Sequence, residues 1–81
     1  MSETRTTQGA ALSAMQTAAI QAAAAVAAGR EYASSAKAAH RDAVVVYARG
    51  DYANARRRAL NSLAYSVGRF SRIYQDAKGA K

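Results

Sequence analysis

Arginine and tyrosine recur in the last third of the chain at spacings that would place them on one face of a helix. Steps of three and four residues put these side chains in or beside one row: Arg57, Arg58, Asn61, Tyr65, Arg69, Arg72 and Asp76. A guanidinium is a permanent cation with a planar fork that fits phosphate or carboxylate, and a tyrosine beside it can stack on a base. The row therefore predicts a binding surface for an anionic partner.

Two cations of the preceding segment, Lys37 and Arg41, extend this predicted surface if both flanks face the same way. No aromatic RNA-recognition motif, zinc-finger spacing or basic-zipper heptad specifies the partner further. A charged row opposite an apolar stripe is also what a merely solvated helix face looks like. Nucleic acid is the first predicted partner and an acidic protein surface the second, with a solvated face as the alternative to both.

The inventory of chemically reactive residues is small. His40 is the one histidine, cysteine is absent, and five acidic residues are scattered along the chain. Neither a nucleophile with its base nor a set of metal ligands can be assembled from this spacing. We expect no catalytic residue, no metal site and no cofactor, and hence a protein that is not an enzyme.

The charge balance favours anionic partners as well. Twelve basic and five acidic residues give a net charge of +7, and residues 50–81 alone hold seven basic and two acidic residues. Residues 6–29 carry no charge, and this segment is long enough in principle to span a bilayer. Because this segment is mainly alanine with several threonines and glutamines, we expect a cytoplasmic protein rather than a membrane span.

Alanine dominates the apolar content. The 81 residues include 23 alanines, and only 18 residues carry larger apolar side chains. The composition predicts a thin core in an all-α protein that packs its helices closely, against one another or against a partner or further copies of itself.

Five glycines and no proline divide the chain into elements. The predicted fold is a small antiparallel helical hairpin or three-helix bundle, a single domain over residues 8–77 with tails at 1–7 and 78–81. Its helices span about 8–28, 31–49 and 52–77. Gly50 followed by Asp51 is a strong break, whereas the Gly29 region is either a true turn or a bend in one long helix. Gly68, inside the third predicted helix, marks a bend or a close contact.

The spacing also assigns inward faces. The first helix is predicted to pack through Leu12, Met15, Ala19, Ala22, Ala23 and Val26. The second is predicted to pack through Tyr32, Ala36, Ala39, His40, Ala43, Val46 and Tyr47. The third is predicted to pack through Tyr52, Ala55, Ala59, Leu63, Val67, Phe70, Tyr74 and Ala77. Arg56, at the edge of that face, either extends outward or pairs with Asp42 or Asp51.

The residues around the Gly50 turn resemble the helical hairpin of a tetratricopeptide unit over about residues 39–67. The matching positions are Ala43, Tyr47, Gly50, Asp51, Tyr52 and Ala55. The chain departs from that pattern at Asp42 and Ala59, has no closing proline and shows no stacked repeats. The resemblance implies a tight antiparallel hairpin and protein binding, without a peptide groove.

Overall fold

The computed structural model describes residues 7–79 of the chain, and these form four helices without a strand. They are α1 (Gln8–Ala27), α2 (Ala33–Ala48), α3 (Tyr52–Val67) and α4 (Arg72–Gly79). α3 packs against each of the other three helices, and α1 also packs against α2. The all-α bundle predicted from the sequence is therefore confirmed.

Both predicted turns are present, and both end a helix in the same way. Gly29 and Gly50 have φ angles of 66° and 83°, in the left-handed region. The N–H of Arg30 donates to the carbonyl of Ala25, and that of Asp51 donates to the carbonyl of Val46. In addition, the N–H of Gly29 donates to the carbonyl of Val26, and that of Gly50 donates to the carbonyl of Tyr47. Each pair of hydrogen bonds forms a Schellman motif. α1 and α2 are thus separate helices rather than one bent helix.

The third predicted helix is wrong in one respect, because it is two helices. α3 ends at Val67, and Gly68 adopts φ 91° and ψ 153°, a region that is essentially restricted to glycine. A turn follows in which the N–H of Ser71 donates to the carbonyl of Gly68, and the Ser71 hydroxyl then accepts from the N–H of Ile73 to start α4.

Arg56 shows that α4 runs back along α3. Its guanidinium, near the beginning of α3, donates to the carbonyl oxygens of Ala77 and Lys78 at 3.4 and 2.8 Å. A cation at the last carbonyls of a helix also complements the helix dipole. Arg56 therefore holds α4 against α3. The sequence had predicted instead that Arg56 extends outward or pairs with Asp42 or Asp51.

The chain ends differ from the predicted tails where they are described. The Thr7 hydroxyl caps α1 by accepting from the N–H of Ala10 at 3.0 Å, and Lys78 and Gly79 belong to α4. Residues 1–6 and 80–81 of the predicted tails lie outside the described residues.

Small side chains dominate the core, as predicted. Its buried cluster contains six alanines with Met15 and Leu63, and Leu63 is the largest fully buried side chain. The buried hydroxyl of Ser62 donates to the carbonyl of Ala36 at 2.7 Å, so α3 approaches the backbone of α2 directly. Such close approach gives many contacts per residue even without large side chains.

The predicted inward face of α1 is only partly right. Met15 and Ala22 are buried, but Leu12 and Val26 are 41% and 48% exposed and Ala23 is exposed. The buried row is instead made of Ala11, Ala14, Met15, Ala18, Ala22 and Ala25. α1 has turned its alanine side to the core because only small side chains let it lie against α3 at short range.

Candidate anion-binding site

Two tyrosines from different parts of the chain form the centre of the candidate site. Tyr65 lies on α3, and Tyr32 lies immediately before α2, at the end of the turn that follows Gly29. Their ring centroids are 6.3 Å apart with the planes inclined by 39°. Because Tyr65 is 46% and Tyr32 55% exposed, both rings retain accessible faces.

A partly buried hydrogen bond joins the two segments that carry these tyrosines. Arg30, two residues before Tyr32, donates a 2.8 Å hydrogen bond to the carbonyl oxygen of Ser66, next to Tyr65. Ser66 is itself buried, and its hydroxyl donates to the carbonyl of Leu63. The last turn of α3 is thereby joined to the turn that carries Tyr32, which sets the distance between the two rings.

An open pocket of about 520 Å³ lies at this tyrosine pair. We call it the tyrosine pocket. It is lined by Tyr32, Asn61, Ala64, Tyr65 and Arg69. Asn61 contributes an amide that can donate and accept, and the exposed Arg69 contributes a guanidinium. The pocket is half open to solvent, so it is a surface depression and not an enclosed cavity. The pocket can therefore hold a planar ring against tyrosine and an anionic group against arginine.

Three of the eight residues predicted from the sequence meet in the tyrosine pocket: Asn61, Tyr65 and Arg69. Arg57 and Arg58 lie nearer the start of α3 and are exposed. Arg58 forms an ion pair with Asp42 of α2 at 3.7 Å, an exposed contact that contributes little to stability. Arg57 and Arg58 continue the basic surface along α3 away from the pocket.

The break at Gly68 moves Arg72 off the predicted row. Arg72 and Asp76 belong to α4, where their side chains pair at 3.4 Å in an i,i+4 contact. The prediction that all seven residues lie in a row on one continuous helix is therefore wrong beyond Val67. Arg69 stays with the pocket because it follows Gly68 directly.

Lys37 lies on another surface. It lines a groove between α1 and α2, together with His40 and alanines of α1. Asp42, which contacts Arg58 of α3, is on the other flank of α2, and the exposed Arg41 follows Lys37 by one helical turn. The structure thus does not bring Lys37 to the tyrosine pocket.

Phe70 was predicted to face the core but is 98% exposed. It lies in the turn between α3 and α4, directly after Arg69, where the chain reverses. Single exposed apolar side chains are normal on a protein surface, so this exposure leaves the Phe70 ring accessible to a partner without by itself indicating one. The helical spacing from Val67 to Tyr74 concealed it, whereas a serine three residues after Gly68 is a helix-start signal that could have indicated the turn.

Tyr32 was also predicted to face inward but is 55% exposed. No side-chain hydrogen bond caps α2 at Tyr32, and its ring packs on Tyr65 across the α2–α3 hairpin instead of entering the core. No local pattern indicates such a pairing, because the partners are 33 positions apart.

Other chemistry is sparse in the described part of the chain. Residues 7–79 hold no group of three or more histidine, cysteine or acidic side chains that could bind a metal ion. Asp51 has a lowered pKa, caused first by the hydrogen bond from the Asn54 side chain and then by that from the Asn54 backbone. This carboxylate caps α3 and belongs to the fold.

Among the described helices, α1 is long and apolar enough to cross a membrane by length and composition, a test that core helices and signal sequences also pass. Comparison with known proteins yields no matching family model, no matching curated protein and no matching solved structure.

Proposed function

We propose that this chain is a non-enzymatic helical protein that binds single-stranded nucleic acid through the tyrosine pocket and the adjoining arginines of α3. The observation that carries the proposal is the exposed Tyr32–Tyr65 pair, with Asn61 and Arg69 lining the same pocket. A base can stack on a tyrosine face while a neighbouring phosphate lies against a guanidinium.

The aromatic residues favour a single strand over a duplex. Bases in a duplex are stacked on each other, so their faces are not accessible to a protein ring, whereas those of a single strand are. Phe70, next to Arg69, is a third exposed aromatic residue. A strand that passes from the tyrosine pocket to Phe70 could therefore stack one base on a tyrosine and another on the phenyl ring. Asn61 can form hydrogen bonds with base edges but does not select one base on its own.

Electrostatics support the same proposal. The net charge is +7, and Arg57, Arg58 and Arg69 are exposed along or just after α3. Phosphate contacts by these residues would release counterions, which makes binding weaken steeply as salt rises. The proposed site of action is the cytoplasm, where such a strand would be RNA or transiently exposed DNA.

The alternative function is a protein-interaction or assembly subunit that uses the same cations on an acidic protein surface. The observation that favours it is the apolar exposure of α1, where Leu12, Ile20 and Val26 are open to solvent. An acidic partner has no base to stack on tyrosine. The two functions therefore differ in what the aromatic side chains contribute.

The test is a titration of the full chain, freed of co-purifying nucleic acid by nuclease, against three labelled polyanions across a salt series. These are a mixed-sequence single strand, its duplex and a polyglutamate peptide of matched charge. We expect tightest binding to the single strand, with the logarithm of affinity falling linearly with the logarithm of salt. Equal binding to polyglutamate, or no binding to the single strand at about 50 mM salt, would reject the proposal.

A further inference from the structure

α1 carries two rows of mainly apolar residues with the same spacing, of which the structure covers one. The buried row steps through Ala11, Met15, Ala18, Ala22 and Ala25, with alternating intervals of four and three residues. One position further on, a second row repeats the same intervals. This outer row consists of Leu12, Gln16, Ala19, Ala23 and Val26.

The outer row is open to solvent. Ala19 is half-buried, and the other four residues are exposed. Leu12 and Val26, at its two ends, are large apolar side chains that normally lie in a core. Intervals of four and three average 3.5 residues, the period at which one helix packs along another. The outer row therefore suits a helix as its occupant.

The outer row forms one wall of a groove of about 380 Å³, and α2 forms the other. Ala19, Ala23 and Val26 line it from α1, and Lys37 and His40 line it from α2. Val44, one turn beyond His40, is 45% exposed. An occupying helix would contact both α1 and α2, as a third helix does in a bundle.

The charge distribution indicates which helix would fit. The chain carries +7, so two copies repel each other over most of their surface, yet residues 6–29 hold no charge at all. Two copies of α1 can therefore face each other without bringing like charges together. Lys37, on the α2 wall, is the one charged residue that lines the groove, so a strongly charged partner helix would lose hydration along the α1 wall without gaining an ion pair there.

The outer row is also self-complementary when reversed. In an antiparallel pair centred on Ala19, Leu12 of one copy lies opposite Val26 of the other, and each Ala19 lies opposite its equivalent. Large side chains then close both ends, Ala19 and Ala23 between them allow the two backbones to approach closely, and Gln16 is the one polar residue of the row. An interface in which each copy offers the same patch is what a two-fold dimer requires.

We propose that two copies of this chain associate through antiparallel outer rows, so that α1 and α2 of each copy form an intermolecular four-helix core. The inference does not depend on nucleic-acid binding. The ion pair of Asp42 with Arg58 lies on the other flank of α2 from the groove. The tyrosine pocket of each copy thus stays open, and the dimer presents two of them.

Sedimentation equilibrium of the nuclease-treated full chain over micromolar to millimolar concentrations tests the association. Ala19→Glu places a carboxylate from each copy at the two-fold axis, and we expect it to raise the dimer dissociation constant more than about tenfold. Ala24→Glu, on an exposed position of the same helix outside the outer row, is the matched control and should leave the dimer intact. Circular dichroism confirms that both variants stay helical. A wild-type monomer at every concentration, or an equal effect of the two variants, would overturn the proposal.

A cross-linking experiment tests the register. The chain has no cysteine, so Leu12→Cys and Val26→Cys each introduce a single thiol. Mild oxidation of the mixed variants should give a disulfide-linked dimer, and either variant alone should give little. Efficient linking of Leu12→Cys with itself contradicts the antiparallel arrangement. Flotation of the wild-type chain with neutral phosphatidylcholine vesicles would also overturn the proposal, because α1 would then prefer lipid to a second copy.

Discussion

The guanidinium of Arg56 donates a hydrogen bond of 2.8 Å to the carbonyl oxygen of Lys78, joining the beginning of α3 to the end of α4. Arg30 has the same role at the end of α3, where it donates to the carbonyl of Ser66. Two of the basic residues thus terminate helices rather than face a partner. The proposed binding surface draws on Arg57, Arg58 and Arg69, so arginine variants should separate into stability effects and binding effects.

Arg56→Gln should weaken the docking of α4. The substitution removes a charged donor from the last carbonyls of that helix, a loss of about 1–2 kcal/mol in the free energy of unfolding. Hydrogen exchange of the α4 amides measures it locally, and urea unfolding measures it globally. Arg57→Gln, at the next position and exposed, is the matched control and should leave both unchanged. Equal protection of α4 amides in the two variants would refute this role of Arg56.

Gly68→Ala should destabilise the protein by about 1–3 kcal/mol, because φ 91° with ψ 153° is strained for any residue with a Cβ. The space around Gly68 is open, so the cost arises from the backbone and not from a clash. Gly9→Ala is the comparison, since Gly9 is helical with open space around it and alanine there should stabilise by up to about 1 kcal/mol. Thermal unfolding of both variants should show a lower midpoint for Gly68→Ala and a higher one for Gly9→Ala. An unchanged midpoint for Gly68→Ala would contradict the break between α3 and α4.

Gly68 also shows how far the sequence could predict the fold. The Gly50–Asp51 turn was predictable because a glycine for the left-handed position is followed at once by a capping carboxylate. At Gly68 the apolar spacing from Leu63 through Val67 to Tyr74 continues without interruption, so periodicity predicted one helix. The direction of the chain after Gly68 is instead set by Arg56, 22 positions before its partner Lys78.

α1 was unpredictable for a different reason. When nearly every position is alanine or another uncharged residue, adjacent rows have almost the same hydrophobicity, and the few large side chains bias the prediction. The row containing Leu12 and Val26 was therefore assigned to the core, whereas close packing against α3 requires the alanine row. The candidate site was predicted in part: Asn61 and Tyr65 follow from helical spacing, whereas Arg69 reaches the pocket after the Gly68 break, and Tyr32 and Phe70 depend on turns that spacing alone does not reveal.

Acid should remove the contribution of the Asp51 cap. Its pKa lies below the usual 3.8 because Asn54 donates hydrogen bonds to the carboxylate. A carboxyl whose pKa is lowered by folding stabilises the protein above its unfolded pKa and loses that contribution as pH falls through the folded value. The urea midpoint of Asp51→Asn should therefore lie below that of the wild type at neutral pH, and the difference should shrink below about pH 4. A difference that stays constant with pH would rule out a charged cap.

Arg69 and Arg41 are both exposed arginines, but only Arg69 lines the tyrosine pocket. Arg69→Gln should weaken single-strand binding and reduce the slope of log affinity against log salt by about 0.7, the value for one phosphate contact on a single strand. Arg41→Gln removes the same charge from another surface and should change the slope little. If both variants change the slope equally, binding follows net charge and not the pocket.

Substitution of Tyr65 tests whether a base stacks on the tyrosine pair. Affinity for the single strand should be measured by fluorescence anisotropy for the wild type, Tyr65→Phe and Tyr65→Ala, with circular dichroism to confirm equal helicity. Phenylalanine keeps the aromatic face and should bind within about threefold of the wild type, whereas alanine should weaken binding about fivefold or more, since stacking contributes about 1–3 kcal/mol per base. An alanine variant that binds the single strand as tightly as the wild type would show that no base stacks on Tyr65.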